Sequence, residues 1–443
     1  MSALAKILLE SGYEISGSDI EESPIIDRLK CLGSEIYIGH NERNMNGADV
    51  VVYSACIPVD NPELIMARRK NIPVLHRAEL LAQLMNGKNG IAVTGAHGKT
   101  TTTTFISLIL ERLGFKPTVI IGAQVHNLEN GAIAGQGSFV VAEADESDGS
   151  FLFLRPTYSV ITNIDLEHLD YYKNIKAIKI AYLQFMERTK GEGKVFYCGD
   201  DKYLKDITRT YRKKMMSFGL SSINDIYAFN LEFEGLKSRF DVIYQGNNLG
   251  RIELNVGGEH NVVDCLAAIE VALELGIEFQ RIKEALAFFQ AAVRRCQVKA
   301  NFNNIMVIDD YAHHPTEIKV TLKSIKNLKP RRIIAVFQPH RYSRTKLLKN
   351  LFINSFELAD YLIMTDIYGA SEKPIEGINS QNLIDEIKAN GKKNVCFMPK
   401  KKITSHLLNL AREGDLFIIL GAGDVGKIAD ELSKDLKIKF KIQ

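Results

Sequence analysis

Residues 94–104 read Thr-Gly-Ala-His-Gly-Lys-Thr-Thr-Thr-Thr-Thr and follow the apolar run Ile91-Ala92-Val93. A buried strand, a glycine-bearing turn and Lys-Thr opening a helix form the grammar of a phosphate-binding loop. Backbone N–H groups must close around phosphate oxygens, so Gly95 and Gly98 leave out side chains that would block them. Lys99 supplies a cation for the β- and γ-phosphates, and the Thr100 hydroxyl is placed to reach Mg²⁺. The common pattern has glycine five residues before Gly98, where this chain has Val93, and His97 precedes the second glycine. The helix is expected over Thr100–Leu113, stopped by Gly114.

Other chemistry-bearing residues follow apolar runs. After Phe139–Ala142 comes Glu143-Ala144-Asp145-Glu146-Ser147-Asp148. Four carboxylates in six residues repel one another unless cations share the site. Mg²⁺ takes a carboxylate plus substrate phosphates, and Glu143, first at the strand end, is the candidate ligand. Asp145, Glu146 and Asp148 are expected on an acidic surface loop. After Ser159–Thr162 comes Asn163-Ile164-Asp165-Leu166-Glu167-His168, where His168 is either a second metal ligand or a structural histidine. After Ile305–Ile308 comes Asp309-Asp310-Tyr311-Ala312-His313-His314-Pro315-Thr316. Adjacent histidines diverge and no Cys/His cluster lies near in sequence, which argues against zinc; Thr316 is expected to cap the next helix. After Ile333–Phe337 comes Gln338-Pro339-His340-Arg341-Tyr342-Ser343-Arg344-Thr345. Arg341 and Arg344, three apart, share a helical face and suit a carboxylate. Gly421-Ala422-Gly423-Asp424-Val425-Gly426 matches a dinucleotide fingerprint. It lies on the last strand without the acidic residue such a site needs, so a tight packing turn is expected.

The elements that must position these residues are short β-branched runs separated by helical patterns. That alternation predicts an α/β chain of parallel sheets with helices on both faces. Three blocks are expected, at residues 1–88, 89–296 and 297–443. In such sheets ligands bind beyond the carboxyl ends of the strands, where the polar clusters fall.

Length and composition agree. The chain has 443 residues, 46% hydrophobic and 25% charged, enough for several cores. A net charge of +3 argues against a nucleic-acid partner. Six scattered cysteines without Cys-x-x-Cys suit reduced thiols and a cytoplasmic setting. No apolar stretch approaches the ~18–20 residues of a membrane span, so no membrane partner is expected.

Together, Thr94–Thr102, Glu143–Leu152, Asn163–Tyr172, Asp309–Glu317 and Phe337–Thr345 resemble the Mur ligase family, with support from Gly258-Glu259-His260-Asn261 and Asp366-Ile367-Tyr368. The resemblance implies three domains: a Rossmann-like N-terminal domain for a UDP-sugar, a central P-loop ATPase and a C-terminal Rossmann-like domain for an amino acid. It implies ATP-dependent joining of L-alanine to UDP-N-acetylmuramate through an acyl phosphate, with ATP and Mg²⁺ required, in peptidoglycan precursor synthesis. ATP contacts would be Gly95, Ala96, His97, Gly98, Lys99, Thr100, Thr101, Asn261 and Asp310. Thr100, Glu143 and His168 would hold metal. Tyr311, His313, His340, Arg341 and Arg344 would meet L-alanine, with Ser18 and Asp19 in the UDP-sugar domain. Lys99, His168, Arg341 and Arg344 would carry the catalysis. Family members usually start with a strand and a Gly-rich loop ahead of Ser-Ala-Leu-Ala, whereas this sequence starts at Met1, so a first domain short of one strand is expected. A monomer or homodimer would suffice. Two alternatives are a related amide ligase acting on a murein tripeptide or folate, and a non-catalytic nucleotide-binding paralogue. The Phe337–Thr345 run argues against the first and the retained Lys99, Glu143, His168 and arginines against the second.

Overall fold

The structure, a computed structural model, describes residues 1–45, 47–123, 125 and 131–440. Near the N-terminus, β1 (Ser16–Asp19) pairs in parallel with β2 (Glu35–Ile38), and β3 (Val51–Tyr53) with β4 (Val74–His76). These are two separate two-stranded sheets. Their strands are only partly covered: β3 has no buried position and β4 has one.

The central strands are β5 (Asn89–Thr94), β6 (Thr118–Ile120), β7 (Ala132–Ile133), β8 (Phe139–Glu143), β9 (Tyr158–Ile161), β10 (Lys194–Cys198), β11 (Met215–Gly219), β12 (Ile226–Glu234), β13 (Lys237–Tyr244) and β14 (Asn247–Leu254). They form one sheet in the order 14-13-12-11-10-9-5-8-6-7. β5 lies between β8 and β9, parallel to both, and Ile91, Ala92 and Val93 are fully buried there. A strand buried on both faces reads as a continuous apolar run, which is why β5, β8 and β9 are visible in sequence. The β12–β14 meander is not. Its strands carry Asn230, Glu232, Arg239, Asp241 and Glu253, and its two-residue turns, Gly235-Leu236 and Gln245-Gly246, lack the Asn-Gly or Asp-Gly signal. Gln245 and Gly246 both take positive φ, 47° and 81°, as a type I′ hairpin turn requires.

The last sheet contains β15 (Gln297–Phe302), β16 (Ile305–Asp310), β17 (Arg332–Phe337), β18 (Tyr361–Met364), β19 (Val395–Phe397) and β20 (Asp415–Leu420), in the order 15-16-20-17-18-19. Only β15 runs antiparallel, on the edge. All six residues of β20 are buried. Val307, Ile334, Val336, Phe417 and Ile419 form one core with Ile428, Leu432 and Leu436 of the final helix, Gly426–Lys439. Burying each such side chain contributes about 1.5–3 kcal/mol. The register aligns Asp310 with Leu420, Leu420 with Phe337 and Phe337 with Met364. The loops after these four strands therefore leave from one edge.

By packing, the chain divides into two compact units. The first is Met1–Asn230 with Phe240–Ile252 and Val262–Gln290. The second is Leu231–Arg239 with Glu253–Asn261 and Ala291–Gln443. Among the described residues no helix is long and apolar enough to cross a membrane. All six cysteines are free thiols.

Candidate active site

In the first unit, β5 ends at Thr94 and the loop turns through Gly95 (φ +141°) and Gly98 (φ +82°) into the helix Lys99–Arg112. A Cβ on Gly95 would lie 2.0 Å from Thr162 Oγ1, and one on Gly98 2.5 Å from Asp264 Oδ1. Both glycines are thus fixed by conformation and by close approach. The threonine run is absorbed by the helix: Thr103 and Thr104 hydroxyls donate to the carbonyls of Lys99 and Thr100, each at 2.7 Å, and Thr100 and Thr102 are buried. Thr101 follows Thr100 in the first turn. The N–H groups of that turn have no partner within the helix, the arrangement that receives phosphate.

Lys99 Nζ donates to Gly95 O, to Ala96 O at 3.3 Å and to Glu146 Oε1 at 2.7 Å. Burial works against its charge, but Glu146 prevails and the ammonium pKa is raised. Glu146 corrects the sequence reading: it is 3% exposed and not on a surface loop. Two acids of the run meet fixed cations of the protein itself, Glu146 with Lys99 and Asp145 with Arg77. Asp148 faces His76 Nε2 at 3.6 Å. Burial opposes the charge of Asp145, yet Arg77 and Ser147 hold its carboxyl below the usual range. His168 Nε2 lies 3.6 Å from both Glu146 and Glu167. Burial disfavours its charge, these acids outweigh that, and its pKa is raised. Glu143 ends β8 directly beside Val93, at the start of the loop, and accepts the N–H of Gly122 at 3.2 Å. His97 Nε2 lies 2.9 Å from Asp165 Oδ2. Ser18, at the end of β1, donates to Glu63 at 2.7 Å and lies 3.0 Å from His40 Nδ1, while Asp19 is exposed.

In the second unit, the loops after β16, β17 and β18 bring rings and guanidiniums together. The Tyr311 and His313 centroids are 5.4 Å apart, those of His313 and His340 5.5 Å, and His340 stacks on Tyr368 at 5.7 Å and 14°. Arg344 Nη1 donates to His340 Nδ1 at 3.0 Å and to His340 O at 3.2 Å. A guanidinium only donates, so His340 Nδ1 accepts and its proton sits on Nε2. Arg341 precedes the helix Tyr342–Leu347 with φ +69°, and its N–H donates to Tyr368 O at 2.8 Å. Glu372 accepts from the Ser343 N–H (3.0 Å) and hydroxyl (2.5 Å) and lies 4.0 Å from Arg341 Nη1. Nothing in its local sequence, Ser-Glu-Lys-Pro, marks it.

Asn261 Nδ2 donates to Gly257 O at 2.7 Å at the start of the helix Glu259–Glu274. Asp310 is buried, accepting from Cys296 N at 2.6 Å and Ala312 N at 2.8 Å; burial raises its carboxyl pKa against the pull of Arg295. The capping residue after β16 is His314 and not Thr316. Buried His314 Nδ1 accepts the Thr316 N–H at 3.2 Å, and Glu317 completes a capping box. Gly421 and Gly423 form a packing turn, with both carbonyls held by Arg294.

The chain belongs to the Mur ligase family. Residues 1–89 match the Mur ligase family catalytic domain, 93–272 the Mur ligase middle domain and 294–423 the Mur ligase glutamate ligase domain. The UDP-N-acetylmuramate–L-alanine ligase of Geotalea daltonii is 46% identical over 438 residues, covering 99% of this chain and 96% of that one. The enzyme of the same name from Persephonella marina is 45% identical, with 99% and 95% covered. The crystal structure of the UDP-N-acetylmuramate–alanine ligase of Thermotoga maritima superposes with a TM-score of 0.83 at 28% identity, covering 99% of this chain and 97% of that one.

Proposed function

We propose that this protein is an ATP-dependent carbon–nitrogen ligase that joins L-alanine to the lactyl carboxylate of UDP-N-acetylmuramate, a step of peptidoglycan precursor synthesis. The observation that carries this reading is the convergence of Arg344, His340, His313 and Tyr368, with Arg341 beside them, at the ends of parallel strands. Fixed guanidinium and imidazole N–H donors suit an amino-acid carboxylate. Near-full-length relatives with this activity in their names support it.

Lys99 and the N–H groups at the helix start, from Gly98 to Thr101, receive the ATP phosphates. Lys99 neutralises charge on the transferring phosphoryl group as the lactyl carboxylate oxygen attacks it and ADP leaves. The L-alanine amine then attacks the acyl phosphate carbonyl, a tetrahedral intermediate collapses, and phosphate departs with formation of the amide. Thr100 and Glu143 offer the hydroxyl and carboxylate oxygens that suit Mg²⁺, with Glu143 beside the loop, and His168, next to Glu146 and Glu167, is assigned to a second cation. Mg²⁺ held there would neutralise phosphate charge. Asn261 and Asp310 are assigned to the nucleotide, and Ser18 and Asp19 to the UDP-sugar. Residues 1–88, 89–296 and 297–443 serve UDP-sugar, ATP and amino acid respectively. The protein acts in the cytoplasm on small molecules.

The test is phosphate release from Mg-ATP with UDP-N-acetylmuramate and L-alanine offered singly and together. Release that needs both supports the reading. Release driven by another acid and amine, with none from this pair, overturns it.

A further inference from the structure

The ladder between β5 and β9 does not stop where the strands do. Its last strand pairing is Thr94 with Ile161, and the Thr162 N–H then donates to Thr94 O at 3.0 Å. One residue further, the side chain of Asn163 takes over. Its Oδ1 accepts the N–H of His97 at 2.9 Å, and its Nδ2 donates to the C=O of His97 at 2.9 Å. A side-chain amide offers one acceptor and a donor in the geometry of a peptide unit, so it can pair a backbone residue as a neighbouring strand would. The grip is reinforced: Thr162 Oγ1 donates to the same His97 carbonyl at 2.5 Å, and the Ala96 N–H donates to Asn163 O at 3.3 Å.

We infer that Asn163 is a positioning residue of the phosphate loop, setting its curvature through the backbone of His97. The inference rests on the nucleotide reading proposed above. With the His97 peptide groups committed to Asn163, the loop cannot turn them toward a ligand. The donors left for phosphate are those at the helix start, from Gly98 onward. The arrangement acts on the backbone of residue 97, so it is separate from the contact of the His97 ring with Asp165. Only an amide serves. Aspartate keeps the size and the acceptor but loses the donor, and sets a carboxylate against the His97 carbonyl. Alanine loses both bonds. Asn163 makes no contact with reacting atoms in this account, and its effect reaches the nucleotide only through the loop.

The experiment uses the full chain with Asn163→Asp, Asn163→Ala and the milder Asn163→Ser, comparing KM for ATP, KM for L-alanine, kcat and Tm. Loss of two hydrogen bonds predicts a rise in KM for ATP of about 10- to 100-fold, with Asn163→Asp at the upper end. KM for L-alanine should stay within about twofold. A residue that merely holds the fold would lower Tm and leave the KM for ATP of the folded fraction unchanged. That result, in whichever variants fold, overturns the inference; Asn163→Ser keeps a test available if the other two do not fold. Lys99→Ala, measured for ATP binding by calorimetry, separates the two readings. If it binds ATP normally, the nucleotide reading falls and takes this inference with it. If it loses ATP while the Asn163 variants keep it, only the role of Asn163 falls.

Discussion

The two candidate sites are built from different materials. The phosphate loop is a backbone site: two glycines in positive φ and helix-start N–H groups do the shaping, and side chains from the loops after β8 and β9 lock it in place. The cluster after β16–β18 is a side-chain site: stacked rings and guanidiniums, each anchored to a neighbour. Backbone sites depend on conformation and tolerate little change of residue type at the turn. Side-chain sites depend on which groups are present, and losing one removes one interaction. The first should therefore fail as a whole and the second by parts.

The sharpest test is Lys99→Ala. Removing one electrostatic group aimed at the transferring phosphoryl should cut kcat by about 10²–10³ with the fold intact. Near-normal turnover at an unchanged Tm would sink the backbone-site assignment. Next in size is Arg344→Ala. Losing a charge-assisted hydrogen bond costs about 1.5–3 kcal/mol, so KM for L-alanine should rise about 10- to 150-fold while KM for ATP barely moves. Equal effects on both substrates would erase the distinction between the sites.

A smaller effect is expected from a residue belonging to neither. Glu270 is fully buried on the helix Glu259–Glu274, and neither carboxyl oxygen has a hydrogen-bond partner among the described residues. Burial first, then Asp225, drives its pKa well above 4.5, with Glu274 adding to this and Lys194 opposing; Tyr197 and Tyr244 also feel its charge. The folded state holds a proton that the unfolded chain releases above about 4.5, so stability falls as pH rises through that window. Glu270→Gln stays neutral throughout. Its Tm advantage over the parent should be larger at pH 8 than at pH 5, with both sites still active. An advantage of equal size at the two values would show that Glu270 does not carry this proton.

Legibility in the sequence followed the same division. The phosphate loop was visible because spacing alone specifies a backbone site: strand, Gly95, Gly98, Lys99, helix. Strands buried on both faces, such as β5, β8 and β20, announced themselves as apolar runs, and the polar residues just beyond them fell at strand ends as expected. Glu146 was missed because burial of an acid depends on Lys99, which lies 47 residues away in the chain. Glu372 was missed for the same reason, since its partners Arg341 and Ser343 lie at the start of the helix Tyr342–Leu347, far from it in sequence. His314 displaced Thr316 as the cap because an imidazole Nδ1 can accept from the helix as a hydroxyl does. The pairing of the N-terminal strands into two separate sheets depends on long-range register that no local pattern encodes.

Arg341 lies in a backbone region that glycine enters easily and other residues enter at a cost of about 1–3 kcal/mol. The fold therefore gives up stability to place a guanidinium where a residue without a side chain would sit more comfortably. With the proposed role of Arg341, selection for durability and selection for turnover pull this position in opposite directions. Arg341→Gly should be more stable than Arg341→Ala by about 1 kcal/mol, since both lose the charge and only one keeps the strain. Equal melting temperatures for the two would mean that the position costs the fold nothing. A screen of this protein for heat resistance alone would drift toward glycine at 341 and discard the guanidinium proposed to hold the amino acid.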